Sequence, residues 1–159
     1  MPSQATAHCK CEPYLVKFLE FLYGPSPISF PRKSNFNLML DAFLEKPPME
    51  CDTPDQGIPN LAIRLPYFDN KDIRSYNYLP PKKQEIFAKE IWKFFKIIYR
   101  NEISKCLVMG LDRKDAIGLF IEKYDLSDDC WDSLEKDYQR HLTLRRKARL
   151  FRNKKNSAV

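Results

Sequence analysis

Apolar residues recur at helical spacing in five segments of the chain. The spacing predicts helices over residues 13–23, 34–46, 81–109, 113–124 and 128–150. Residues that favour helix ends support these bounds, because Pro13 and Pro81 fit a first helical turn, and Ser34 and Ser127 fit N-caps. Gly110 fits the position just after a helix, where a left-handed backbone is common. The chain is therefore predicted to be mostly α-helical.

A short segment instead shows the period of a strand. Residues 60–68 place Leu61, Ile63 and Leu65 on one side, which is typical of a half-buried strand. Residues 27–31 lie between prolines and are predicted to form its partner. A two-stranded ribbon needs helices packed against it to be stable. The predicted fold is therefore a helical bundle with a minor two-stranded β element in its N-terminal half.

All twelve prolines of the chain lie at or before Pro81. Because proline interrupts helices, this distribution separates an irregular N-terminal half from an uninterrupted helical half. We predict a flexible N-terminus over residues 1–12, a proline-rich α+β part over 13–80, a helical part with a helix-turn-helix-like hairpin over 81–150, and a basic tail over 151–159.

The predicted helix over residues 81–109 carries a broad apolar surface. Its main aromatic and aliphatic positions are Phe87, Ile91, Trp92, Phe95 and Tyr99. Residues of these types at helical spacing usually belong to a core. The breadth of the surface also allows an alternative function, in which the helix forms an interface in a homodimer or with another protein.

Charge is distributed very unevenly along the chain. Residues 138–159 contain eight Lys or Arg and no acidic residue, whereas the preceding 137 residues contain 19 basic and 21 acidic ones. The net charge of +6 therefore comes entirely from the C-terminus. Such a segment is typical of a protein that binds a polyanion, since Lys and Arg release counterions from a phosphate backbone. A basic tail that only improves solubility is the alternative.

The outward positions of the last predicted helix indicate a nucleic-acid interface, with duplex DNA favoured over RNA. Base contacts are predicted for Ser133, Lys136, Gln139 and Arg140, and backbone contacts for Arg145, Arg146, Lys147, Arg149, Arg152, Lys154 and Lys155. Asp128, Asp129 and Asp132 precede these residues and are unfavourable beside phosphates. The sequence leaves open whether the hairpin reads bases or only supports a basic helix.

The stretch "DAIGLFIEKYDLSDDCWDSLEKDYQRH", residues 115–141, resembles the compact helix-turn-helix of small phage and mobile-element regulators, the Mor-like and sigma-like groups. A short "A…F…Y" helix, a Leu-Ser turn and a second helix ending in basic residues recur in these groups. The resemblance extends over residues 112–150 and implies a DNA-binding regulator of transcription. The aspartates that begin the second helix, and Gly118 in the first, depart from the pattern. No family is recognised in residues 1–80.

Motifs for catalysis are absent from the sequence. With two His and four Gly, and without a phosphate-binding glycine loop, a Gly-x-Ser-x-Gly or an H-E-x-x-H motif, the chain is expected to be neither an enzyme nor a binder of a cofactor or small-molecule substrate. Lys93 and Lys96 interrupt the most apolar stretch, and the N-terminus lacks a signal-peptide pattern. We therefore expect a cytoplasmic protein that does not enter membranes.

Two further hypotheses concern the N-terminal half. Residues 8–11, "HCKC", offer His8, Cys9 and Cys11 as zinc ligands with Cys51 as a distant fourth, but the spacing is shorter than zinc sites use, and no metal is predicted. A second alternative function is binding of RNA or single strands. The aromatic residues that would stack on bases are Tyr67, Phe68, Tyr76 and Tyr78, close in sequence to Lys71 and Arg74.

Overall fold

The computed structural model describes residues 5–49 and 59–156, with side chains up to residue 153. Along the chain these residues form β1 (Thr6–Cys9), α1 (Pro13–Tyr23), α2 (Asn35–Phe43), β2 (Leu61–Arg64), α3 (Pro81–Val108), α4 (Arg113–Lys123), a 3₁₀ helix (Asp128–Cys130) and α5 (Trp131–Asn156). This part of the chain is mostly helical with a small two-stranded antiparallel sheet, as the sequence predicted. It divides into two compact units, unit 1 up to Ile97 and unit 2 from Ile98.

The sheet of unit 1 contains the predicted strand but not the predicted partner. β2 pairs with β1 in antiparallel register, with Cys9 opposite Leu61. Residues 27–31 contribute a single parallel bridge, between Ile28 and Ile63. The predicted contact is thus present as this bridge, with the Ile28 N–H donating to the Ala62 carbonyl at 2.9 Å and the Arg64 N–H donating to the Ile28 carbonyl at 2.8 Å. The sequence analysis missed β1, because strand pairing between distant segments leaves little trace in sequence.

Residues 5–12 are folded where the sequence predicted flexibility over residues 1–12, of which residues 1–4 lie outside the described part. Ala7 and Cys9 of β1 are fully buried. After β1, the backbone N–H of Cys11 donates to Asn60 Oδ1 at 2.9 Å, and Asn60 Nδ2 donates back to the Cys11 carbonyl at 2.8 Å. These paired bonds continue the strand contact beyond the sheet, so the described residues from Thr6 onward belong to the body of unit 1.

Aromatic residues fill the core of unit 1. The ring of Phe18 in α1 lies 4.9 Å from that of Phe95, and the ring of Phe36 in α2 lies 4.7 Å from Phe30 and 5.7 Å from Phe87. Phe87 and Phe95 belong to α3, so the first part of this helix supplies core to the N-terminal unit. The unit boundary therefore falls inside α3, after Ile97, rather than at residue 80, where the predicted proline-rich part ends.

Unit 2 is a three-helix arrangement of the end of α3, α4 and α5. The ring of Tyr99 lies 5.0 Å from Phe120 of α4 and 6.2 Å from Tyr138 of α5. Asp112 caps α4 as predicted, because its Oδ1 accepts from the Asp115 N–H at 2.8 Å. Contacts between α3 and both later helices fix the start of α5 against the body.

α5 is longer than the sequence analysis expected. It was predicted to end at residue 150 before a separate basic tail, but the helix continues to Asn156. The chain has no proline or glycine after Gly118, so nothing in its sequence ends the helix earlier. Across the described residues, every helix is too short or too polar to cross a lipid bilayer.

Candidate nucleic-acid interface

The first three turns of α5 are anchored by buried contacts. Leu134 and Tyr138 of α5 are buried at helical spacing, in line with the buried Cys130 at the end of the 3₁₀ helix. The Tyr99 hydroxyl donates to the Leu134 carbonyl at 2.9 Å, and the hydroxyls of Ser104 and Tyr138 lie 3.1 Å apart. Burial raises the pKa of Tyr99, with the charge of Asp137 adding to the effect, so the hydroxyl stays protonated and able to donate. These contacts fix the direction in which α5 extends from the rest of unit 2.

An ion pair holds the next part of α5. Arg100 of α3 donates from Nε to Asp137 Oδ2 at 3.0 Å and from Nη2 to Asp137 Oδ1 at 2.8 Å. The two side chains are 27% and 18% exposed. A bidentate, half-buried pair of this kind has both charge and directionality. The sequence analysis did not predict this ion pair. The position of Arg100, directly after Tyr99 at the edge of the apolar stripe, could have indicated it.

A second polar cluster joins α4 to α5. Arg113 Nη2 donates to Glu135 Oε1 at 3.1 Å. With the amide of Gln139 oriented so that its oxygen faces Arg113, that oxygen accepts from Nη2 at 2.6 Å and from Nη1 at 2.7 Å. Gln139 was predicted to contact bases, but this position commits its amide oxygen to the body. The other predicted base-contact residues of α5 do not share this constraint.

Ser133, Lys136 and Arg140 are exposed on α5, as their prediction requires. From Thr143 to Asn153 every residue is exposed. We call residues 143–156 the C-terminal extension. It places Arg145, Arg146, Lys147, Arg149 and Arg152 at the surface. Lys154 and Lys155 lie in the helix, but their side chains are outside the described part.

The two ends of α5 differ in charge. Asp128 and Asp129 in the 3₁₀ helix, and Asp132 in the first turn of α5, are all exposed. Negative charge at a helix N-terminus is favourable for the helix but repels phosphate. The exposed positive charge of α5 therefore lies in its middle and at its end, and its start is acidic.

His141 marks the point where α5 leaves the body, and it lies half-buried. Its pKa is lowered, first by burial and then by the positive charges of Arg100 and Arg145, while Asp137 acts in the opposite direction. The imidazole is therefore held neutral, beside arginines that carry the charge of this surface.

The aromatic stripe of α3 does not form a free surface. Phe87, Ile91, Phe95 and Tyr99 are buried within the chain, as core residues are. Trp92 is 39% exposed, with Lys96 Nζ 3.2 Å from its ring centroid. Four of the five residues predicted as an interface are thus core residues of the chain, and Trp92 is the exposed one.

The aromatic residues of the tyrosine-bearing segment differ in exposure. Tyr67 is exposed, but Phe68 is buried and Tyr76 is half-buried. The backbone of Tyr78 pairs with Glu45, accepting at 2.9 Å and donating at 3.2 Å. These hydrogen bonds hold this segment to the rest of unit 1.

The residues of the "HCKC" segment differ in exposure. His8 is exposed, whereas Cys9 and Cys11 are buried with their Sγ atoms 4.0 Å apart. The hydrogen bond to Cys11 raises the pKa of the Cys9 thiol, and burial raises it further. Cys51 lies outside the described residues, and within the described ones no three His, Cys, Asp or Glu side chains are grouped for a metal ion.

The C-terminal extension is therefore the strongest candidate surface on the described chain, and α3 and α4 are the elements that direct it. Comparison with protein-family models, with curated proteins and with solved structures gives no match to this chain.

Proposed function

We propose that this protein is a non-enzymatic nucleic-acid-binding protein that contacts phosphate backbones through the middle and end of α5. The observation that carries the proposal is the C-terminal extension, a helix that leaves the body with every described side chain exposed and no acidic residue. A helix with exposed basic side chains and no acidic ones favours binding of a polyanion, because binding releases condensed counterions.

The biological role we propose is that of a DNA-binding regulator or accessory factor of phage or mobile-element type. The resemblance of residues 112–150 to Mor-like and sigma-like regulators is the basis for this role, and the three-helix arrangement of unit 2 is compatible with it. In a helix-turn-helix the second helix of the motif is supported by the helices before it. Here α3 and α4 support α5, but the acidic start of α5 means that its later residues make the contacts.

A salt-dependent binding titration tests the proposal. Full-length protein is titrated against duplex DNA, single-stranded DNA and RNA at several salt concentrations, with fluorescence anisotropy as the readout. A variant with Arg145, Arg146, Lys147, Arg149 and Arg152 changed to Gln is measured alongside. If each residue contacts one phosphate, the slope of log K against log salt should fall by up to about 4.5 on duplex DNA, since each contact contributes about 0.9.

A matched control removes the same charge from unit 1. Lys10, Arg32, Lys33, Lys82 and Lys89 are exposed there and are changed to Gln together. The control should keep most of the binding and most of the slope. An equal loss in both variants would mean that net charge alone attracts the ligand. No salt-dependent binding to any of the three nucleic acids would refute the function.

A further inference from the structure

One face of α5 is buried near the start of the helix and carries exposed arginines near its end. Leu134 and Tyr138 face the body and are buried. Further along the helix the same face is occupied by Arg145, Arg149 and Arg152, since positions separated by multiples of 3.6 residues share a face. These three arginines, called the first basic row, are exposed because the body of unit 2 does not reach the C-terminal extension.

A second basic row lies on the other side of the helix. It consists of Lys136, Arg140 and Lys147, which are all exposed and lie within about 40° of one another around the axis. At about 100° per residue, the centres of the two rows are roughly 165° apart. α5 therefore presents two basic rows on opposite sides, and the exposed Arg146 lies between them on the side away from Leu144 and Phe151.

An apolar strip separates the two rows. Leu144, Ala148 and Phe151 recur at helical spacing in the C-terminal extension, between the first row on one side and the second on the other. Leu144 is 65% exposed and Phe151 is 73% exposed. Leu150 is also 62% exposed, but it lies on the other side of the helix, outside the strip. Large apolar side chains so exposed indicate a contact that the isolated chain does not make.

We propose that the C-terminal extension lies in the major groove of B-form DNA, with each basic row on the phosphates of one strand and the apolar strip facing the base edges. The inference rests on the proposed function and specifies its ligand and the geometry of binding. A helix lying in a groove has a phosphate wall on each side, which explains two opposite rows. An apolar strip on the groove floor would contact thymine methyl groups.

The dimensions favour DNA over duplex RNA. An α-helix with its side chains is about 10–12 Å across, and the B-form major groove is about 12 Å wide. The A-form major groove of RNA is deep and narrow, so side chains cannot reach its base edges. From Lys136 to Asn153 the helix rises about 26 Å, enough to follow the groove over several base pairs.

Other occupants fit this helix less well. A second copy of the helix would bring two acid-free basic segments together, which is repulsive. An anionic membrane surface would accept the charge, but a helix that lies in a bilayer interface needs a broad apolar face. The strip has two large apolar side chains and one alanine, and Arg145 and Lys147 border it on either side.

Separate neutralisation of the two rows tests the geometry. The three residues of each row are changed to Gln in the full-length protein, giving two variants, and each is titrated against a DNA duplex and an RNA duplex of the same sequence. Each variant should lower the salt slope on DNA by up to about 2.7, at about 0.9 per phosphate. The unaltered protein should bind the DNA duplex at least tenfold more tightly than the RNA duplex.

The apolar strip gives an independent readout. Changing Leu144 and Phe151 to Ala should weaken DNA binding severalfold while leaving the salt slope unchanged, because no phosphate contact is lost. A slope lowered by only one row, or equal affinity for the two duplexes, would overturn the groove geometry and leave nucleic-acid binding intact. Binding to anionic phosphatidylserine vesicles without binding to DNA would overturn both proposals.

Discussion

The Arg100–Asp137 ion pair should measurably stabilise unit 2. Changing Asp137 to Asn keeps the size of the side chain but leaves the half-buried guanidinium without its charged partner. Exposed ion pairs contribute up to about 1 kcal/mol, and breaking a buried pair costs about 3–5 kcal/mol. With side chains 27% and 18% exposed, this pair lies between the two cases. We expect Asp137→Asn to lower the free energy of unfolding by about 1.5–2 kcal/mol.

The two tryptophans allow this loss to be measured in unit 2 alone. Trp92 lies in unit 1 and Trp131 in unit 2, so in a Trp92→Phe background the fluorescence during urea unfolding reports on unit 2. Asp132→Asn is the matched control, because it makes the same chemical change at an exposed site in the first turn of α5. The control should cost no more than about 0.5 kcal/mol, from the lost interaction with the helix dipole.

A double-mutant cycle separates the interaction energy of the ion pair from the other effects of each substitution. Arg100→Met is combined with Asp137→Asn, and the coupling energy should be at least about 0.5 kcal/mol for residues in direct contact. The reasoning is wrong if Asp137→Asn costs no more than Asp132→Asn, or if the two changes in the cycle are additive. In that case the ion pair does not hold α5 to the body.

Two further predictions concern unit 2. The pKa of His141 is lowered in the folded chain, so its contribution to stability is complete above the ordinary value of about 6.5 and is lost as the pH falls through the lower folded pKa. Thermal unfolding between pH 7.5 and pH 5 should show this loss, and His141→Gln should reduce it; an unchanged pH dependence would contradict the assignment. Asp112→Ala should cost about 1 kcal/mol in chemical unfolding, since it removes the cap of α4, and Asp112→Ser should restore most of it. Equal stability of the two Asp112 variants would show that the cap contributes little.

Helix positions followed from the sequence because their causes are local. Ser34 caps α2 through a hydrogen bond from the Asn37 N–H at 3.3 Å, and Ser127 accepts from the Asp129 N–H at 3.4 Å. Gly110 has a positive φ of 92° just after α3, where glycine avoids the strain of a side chain. Periodicity and end residues act within a few positions of one another, so they are visible without knowing the fold.

Strand pairing and the domain boundary did not follow from the sequence. β1 is only four residues long and pairs with a strand more than fifty residues away, so its apolar alternation is too short to be recognised. The first part of α3 belongs to unit 1 because its aromatic residues pack on α1 and α2, which no local pattern records. Both depend on contacts between residues distant in sequence.

The sequence by itself determined that the last predicted helix ends in a basic segment, since charge and helix propensity are properties of the residues. Only the tertiary structure decided which basic residues are accessible on which side. Tyr138 and Arg145 share one line of α5, yet the first is buried and the second exposed. The difference arises because the three-helix packing of unit 2 covers that line only as far as the body extends. The first basic row is exposed as a consequence of where the core ends.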